Sequence, residues 1–201
     1  DTMAASLVGV LDELGLGAVH LVGESFGGVV AQHVALASPG RVKTMTIMSS
    51  LCHTELTVKV QLKAKILLPI VEALGFFFPG VAQFLFAALH VDDVVESFEP
   101  TWVKDFFVKE ASWVHHYSVM KRIRLVIGLD MCERSKQIQQ KTLLVYGRED
   151  NFTLPGTMEL HRNLPNSQLF DLPGGHLPHL TEPKEFAAAV DAFVSQSKQD
   201  P

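Results

Sequence analysis

The chain has 201 residues, of which 47% are hydrophobic, enough to bury one sizeable core and long for two independent ones. Its net charge is −5 and its 17 basic residues are scattered, so no cationic stripe suits a phosphate backbone and nucleic acid is excluded as the expected ligand. Cys52 and Cys132 lie far apart in no metal-ligand spacing. They are expected to be free thiols, and neither a metal nor a cofactor is expected.

In chain order, Leu7, Val10, Leu11 and Leu14 recur at helical spacing and Gly15-Leu16-Gly17 supplies the stop. This amphipathic start lacks the basic and apolar regions of a secretory signal. With no targeting signal visible, a cytoplasmic location is favoured. The chain starts without Met and almost directly in a helix, so a preceding segment is expected. The run AVHLVG at 18–23 reads as a strand, and FGGVVAQHVALASPG at 26–40 reads as a helix whose small residues allow close packing on a sheet. VKTMTIMSS at 42–50 reads as a second buried strand. The alternation lapses over 51–140 and resumes with strand KTLLVYG at 141–147, a helix after Pro155, strand SQLFDLP at 167–173 and a closing helix from Glu182. Strands alternating with helices predict an α/β fold with a parallel sheet of about four visible strands. The expected organisation is a core segment at 1–50, an inserted helical cap at 51–140 and a second core segment at 141–201.

Three residues at strand ends carry the chemistry. Gly23-Glu24-Ser25-Phe26-Gly27 fits G-x-S-x-G between a strand and a helix, where glycines permit the sharp turn that exposes a serine hydroxyl. A serine is a weak nucleophile unless a base stands beside it and a carboxylate orients that base. Asp150 in LLVYGREDNF follows the third strand and His176 in FDLPGGHLPHL follows the fourth. Ser25 could instead be a small turn residue and Asp150 a helix N-cap. Glu149 is the weaker alternative acid, and His179, three residues beyond His176, is expected to line the pocket or cap a helix. His20 and His33 read as structural, and His115-His116 as surface or pocket lining.

VHLVGESFGG, TLLVYGRED and PGGHLPHLTEPKEF resemble the elbow, acid turn and histidine loop of the α/β-hydrolase superfamily, and the resemblance spans Asp1 to about Ser197. It implies an α/β-hydrolase fold, of which these residues form the C-terminal part, and a serine hydrolase with Ser25 as nucleophile, His176 as base and Asp150 as orienter. It also implies an oxyanion donor at the Phe26 N–H. Pro155 stands five residues after the acid, where the family has its proline at four. A second oxyanion donor, normally on a loop after an earlier strand, has no counterpart here, and its loss lowers rates by about 10²- to 10³-fold. The strand at 18–23 is likewise expected to be an exposed edge, which predicts poor solubility for residues 1–201 alone.

Residues 66–89, ILLPIVEALGFFFPGVAQFLFAAL, are apolar except for Glu72 and Gln83. Pro69, Gly75, Pro79 and Gly80 interrupt them, so two short helices are expected rather than a membrane span. Phe76, Phe77, Phe78, Phe84 and Phe86 divide between core packing and pocket, with Phe77, Phe78 and Phe84 as substrate-binding candidates. An apolar cap favours a hydrophobic acyl or aryl ester, or a lipid at a membrane surface contacted peripherally through the cap. Lys121, Arg122 and Arg124 read as a solvated cluster. Alternatives are carbon–carbon or thioester hydrolysis, or a non-catalytic interaction protein on the same scaffold, which the GGHLPHL loop distantly resembles through maspardin-like members.

Overall fold

A computed structural model describes residues 2–54 and 58–197. The chain forms two compact units, residues 1–52 with 130–201 and residues 53–129. The first is a four-stranded, wholly parallel sheet in the order β1-β2-β3-β4, with β1 at Val19–Glu24, β2 at Val42–Met48, β3 at Lys141–Gly147 and β4 at Ser167–Leu172. The central strands, β2 and β3, are buried almost throughout, which is why they read as unbroken apolar runs. Among the described residues β1 pairs only with β2, and β4 only with β3.

Helix α1 (Thr2–Glu13) packs on α2 (Phe26–Ala37), and α2 covers β1 and β2. Beyond the second unit, the short α7 (Cys132–Ser135) leads into β3. Helix α8 (Leu154–Asn163) joins β3 to β4, and the one-turn α9 (Pro178–Thr181) precedes α10 (Pro183–Ser197). Phe193 of α10 closes a cluster with Met48, Leu143, Val145 and Leu172, joined by Phe186 and Ala189. Burying such a side chain is worth about 1.5–3 kcal/mol, so α10 is fixed to the sheet chiefly by Phe193 and Phe186.

The second unit is helical. Helix α3 (Val58–Phe77), α4 (Pro79–Val94), α5 (Thr101–Trp113) and α6 (His116–Ile127) follow one another, and Val71, Ala82 and Met120 centre a small core with Leu74, Ile123 and Ile127. The first two helices are longer than the sequence suggests, because Pro69 lies inside α3 without ending it. The break falls at Phe78, whose non-helical backbone reflects the restriction that Pro79 imposes on the residue before it. The side chains of Gln83, Phe86 and His116 lie outside the described residues. Among the described residues no helix is long and apolar enough to cross a membrane.

One expectation is overturned. Cys52 and Cys132 are not free thiols but form a disulfide, with Cα atoms 4.9 Å apart. Sequence separation hides this, because residues 53–129 form their own unit and the chain leaves the core unit at Cys52 and returns to it at 130. The Met131 N–H donates to the Cys52 carbonyl at 2.9 Å beside the bridge. Fully buried Gln32 of α2 donates to the Gly28 and Leu51 carbonyls at 3.3 and 3.2 Å and accepts from the Ser135 hydroxyl at 3.1 Å. Closing a loop of this length removes about 4 kcal/mol of unfolded-state entropy in the chain-entropy account. Reduction should therefore lower the melting temperature by several degrees in the wild type and leave a Cys52→Ala/Cys132→Ala variant unmoved. Two titratable thiols in the unreduced, denatured protein would show that the bridge is absent.

Candidate active site

Ser25 stands alone between the last residue of β1 and the first of α2, with φ 49° and ψ −114°. L-residues seldom adopt this conformation, which costs on the order of 1–3 kcal/mol. The Ser25 N–H donates to the Met48 carbonyl at 2.8 Å, while its carbonyl accepts from Gly28 N–H at 3.0 Å and from the Ser50 hydroxyl at 2.7 Å. The Ser50 carbonyl in turn accepts from Thr157 of α8 at 2.6 Å. Glycine serves close approach here: a Cβ on Gly23 would lie 2.5 Å from the Gly27 carbonyl oxygen of the backbone, and one on Gly28 would lie 2.6 Å from the Ser50 side-chain Oγ. Gly27, the second glycine of the motif, has open space where a Cβ would go.

Asp150 follows β3 in a tight turn, with its N–H donating to the Gly147 carbonyl at 3.2 Å. Its two carboxylate oxygens divide the work. Oδ1 accepts from the Phe152 and Thr153 N–H groups, both at 3.0 Å, and Oδ2 accepts from the Thr153 hydroxyl and faces His176 Nδ1 at 3.1 Å. The turn-capping and histidine-facing roles thus coexist in one side chain that is 1% exposed. Burial works against its ionisation, yet the His176 and Thr153 hydrogen bonds and the attraction of His176 outweigh it and hold the carboxyl below its ordinary range. Glu149 is exposed and accepts from the Gly174 N–H at 2.8 Å, so it braces the histidine loop rather than facing the ring. Pro155 falls in the first turn of α8 behind the cap residue Thr153, which absorbs the shifted proline.

His176 is 3% exposed on the loop after β4. Gly174, at φ +100°, turns that loop, and it approaches β3 so closely that a Cβ on Gly147 would sit 2.0 Å from the Gly175 carbonyl oxygen. The Phe152 ring meets the imidazole edge-on with centroids 5.3 Å apart. His176 Nε2 lies 3.1 Å from Ser25 Oγ. The network assigns Nδ1–H as donor to Asp150 and leaves Nε2 to accept from Ser25. The chain therefore brings Ser25, His176 and Asp150 into one hydrogen-bonded path. Phe26, the first residue of α2, stands where first-turn N–H groups lack intrahelical acceptors.

His179 is half-buried on α9, its ring centroid 6.1 Å from that of Phe186, and burial followed by the neighbouring His176 pushes its pKa down. Phe77, Phe78 and Phe84 belong to the other compact unit, where all three are exposed. His20 accepts or donates at Thr44 Oγ1, 2.8 Å away, in a structural role, and His115 is exposed. Three participants had not been singled out from sequence: Ser50, Thr153, and Glu24, whose Oε1 is 3.6 Å from His176 Nε2. Only Glu24 carried a signal, as the residue before the nucleophile. The Cys52, Cys132 and Glu159 side chains cluster within 4.8 Å, but the thiols are spent in the disulfide and offer no thiolate to a metal. A depression of about 340 Å³ lined by Lys141, Ser167 and Phe193 lies at the other end of the strands from the triad.

The sequence model of the α/β hydrolase fold family matches residues 1–183. The chain belongs to the α/β-hydrolase fold family. It is 28% identical over 204 residues to a RutD protein of Pseudomonas syringae pv. syringae named as a carbamate hydrolase, covering 96% of this chain and 74% of that one. It is 26% identical over 198 residues to a 2-hydroxy-6-oxononadienedioate/2-hydroxy-6-oxononatrienedioate hydrolase of Burkholderia vietnamiensis, covering 84% of this chain and 59% of that protein. A thermophilic esterase from Thermogutta terrifontis superposes with a TM-score of 0.80 at 20% identity, covering 96% of this chain and 71% of that one. A hydrolase from Pseudomonas aeruginosa PA01 gives 0.79 at 21% identity, covering 95% and 70%. At such identities the structures share a fold. The chain is an α/β hydrolase by family, and its Ser25, His176 and Asp150 are in hydrogen-bond contact.

The depressed Asp150 carboxyl has a sign that can be read in stability. A folded pKa below the unfolded one contributes stability above the unfolded value, here 3.8, and the contribution is lost as pH falls through the folded value. Asp150→Asn should melt below the wild type at neutral pH, with the gap closing in acid below 3.8. A gap that stays constant with pH would remove the charge from the explanation.

Proposed function

We propose that the protein is a serine hydrolase that cleaves a carboxylic ester with a hydrophobic acyl or aryl group through an acyl-enzyme on Ser25. The observation carrying this reading is the unbroken path from Ser25 Oγ to His176 Nε2 and from His176 Nδ1 to Asp150 Oδ2, both at 3.1 Å. In the proposed reaction His176 takes the Ser25 proton as Oγ bonds to the ester carbonyl carbon, and the oxyanion that forms is met by the Phe26 N–H. His176 then gives the proton to the departing alcohol as the ester C–O bond breaks. Water repeats the sequence on the acyl-enzyme, releasing the acid and restoring Ser25. The esterase likeness supports the ester; the carbamate and carbon–carbon hydrolase relatives favour the same attack on a carbonyl with a different leaving group. A binding-only role on this scaffold is disfavoured by the retention of all three groups in contact.

A fluorophosphonate probe should label the wild type and spare Ser25→Ala. Turnover of p-nitrophenyl esters should fall about 10³-fold or more in Ser25→Ala and His176→Ala. Wild-type turnover equal to that of His176→Ala would favour the binding role, and turnover of a carbamate in place of esters would move the substrate class while keeping the nucleophile.

The proposed acyl contacts are Phe77, Phe78, Phe84 and His179. Phe76, Phe77 and Phe78 lie side by side at the junction of α3 and α4, exposed by 81, 72 and 61%, and an aromatic surface of this kind suits a lipid or a membrane face. Each methylene bound in an apolar contact is worth about 0.8 kcal/mol, roughly fourfold in kcat/KM. Phe77→Ser/Phe78→Ser/Phe84→Ser should flatten the preference for octanoate over acetate esters and abolish sedimentation with phosphatidylcholine vesicles, leaving acetate turnover intact. An unchanged octanoate-to-acetate ratio would remove these side chains from the substrate site.

A further inference from the structure

The triad leaves one carboxylate beside it without a role. Glu24 is the last residue of β1, directly before the nucleophile, and its Oε1 lies 3.6 Å from His176 Nε2, the nitrogen that faces Ser25 Oγ at 3.1 Å. On the opposite edge of the ring Asp150 Oδ2 stands 3.1 Å from Nδ1. The almost fully buried imidazole therefore has a carboxylate on each nitrogen's side, one from the β3–α8 turn and one from β1. His179 of α9 is the other titratable group that interacts with it. The Glu24 side chain is 39% exposed, whereas that of His176 is only 4% exposed.

Resting on the triad reading, we propose that Glu24 is a positioning residue, a second counter-ion that holds the His176 imidazolium formed when the Ser25 proton is transferred. Before transfer the ring is neutral and Glu24 gains little from it. After transfer the ring is a cation between two anions, and attraction at this distance is strong because neither side is fully solvated. The interaction is thus larger in the charged intermediate than in the resting state, which is the condition for lowering a barrier. The geometry also orders the two partners of Nε2: at 3.6 Å Glu24 lies beyond hydrogen-bond reach, so Ser25 keeps the nitrogen in the resting enzyme. Burial, the largest influence on Glu24, raises its pKa; the attraction of His176 opposes this and the repulsion of Asp150 adds to it, as expected of a carboxylate drawn into the cluster.

The test is the pH profile of kcat/KM for p-nitrophenyl acetate on full-length wild type, Glu24→Gln, Glu24→Ala and Glu24→Asp, with the rate of fluorophosphonate labelling against pH as a second readout of the same step. The acid limb belongs to the coupled cluster rather than to one residue. Removing the charge should move it to lower pH by about one unit in both Gln and Ala variants, since an opposite charge at such distances shifts titration by one to three units and Glu24 is partly exposed. Asp should restore part of the wild-type position. Equal shifts in Gln and Ala mark the charge as the cause, whereas a packing role would spare Gln and move only Ala. An acid limb in Glu24→Gln that coincides with the wild type, by turnover and by labelling, overturns the proposal. If Ser25→Ala keeps turnover and labelling, it is the triad reading that fails; if Ser25→Ala is inactive and the Glu24→Gln limb stays in place, Glu24 alone is misassigned.

Discussion

A serine can be presented above this sheet only if one residue takes a backbone conformation that L-residues seldom adopt, and much of the site holds it there. Ser25 at φ 49° is bound on both sides of its peptide unit, to Met48 through its N–H and to Gly28 and Ser50 through its carbonyl. Each bond comes from a different level of structure: the strand ladder, the first turn of α2 and the segment after β2. A net hydrogen bond contributes about 1 kcal/mol, so three of them match the strain of one such residue. The glycines follow from the same constraint, because the elbow folds Gly27 back onto Gly23 and presses Gly28 onto Ser50.

That constraint explains what the sequence could and could not disclose. The four strands are short apolar runs in alternation with helices, and the triad residues each follow one of them, so fold and catalytic candidates are both legible. The sequence keeps Glu149 only as a weaker alternative to Asp150, since adjacent carboxylates differ in which one the turn buries; the hydrogen bonds at Phe152 and Thr153 fix Asp150 in the turn, where it faces His176. Ser50 and Thr157 act through one hydroxyl each across 25 and 107 residues of separation, and no periodicity marks them. The disulfide escaped for a related reason: spacing rules detect local ligand pairs, whereas Cys52 and Cys132 meet because an entire helical unit begins and ends at one place.

The helical unit follows a different economy. Among the described residues its core is centred on Val71, Ala82 and Met120, while Phe76, Phe77, Phe78, Phe84, Trp102, Phe106 and Trp113 are exposed. A surface that rich in aromatic side chains is costly in water, and it stays costly unless a ligand or an apolar phase covers it. Of these, Phe76, Phe77, Phe78 and Phe84 are the residues that make 66–89 look almost like a membrane span by composition, and Phe77, Phe78 and Phe84 are the ones proposed to meet an apolar ligand. The surface ion pair of Arg124 with Glu72, at 2.6 Å, ties α6 to α3 beside them and accounts for the one carboxylate in that stretch.

Two carboxylates flank one imidazole, and their environments push them in opposite directions. Asp150 is buried yet supplied with three donors besides the ring, so its charge is stabilised by the fold and it supports folding wherever it is ionised. Glu24 has its largest influence in burial, and its raised pKa means that its favourable contribution belongs to the protonated form and is lost as pH rises from the ordinary carboxylate range through the folded value. An ionised Glu24 is therefore a burden on the resting fold at neutral pH. A group held at such a cost beside the nucleophile is accounted for if its charge is matched later, when the serine proton reaches His176 and the burden becomes an attraction. On the proposed mechanism the division between the two acids is one of timing: Asp150 orients the ring before proton transfer, and Glu24 meets the charge that the transfer would make.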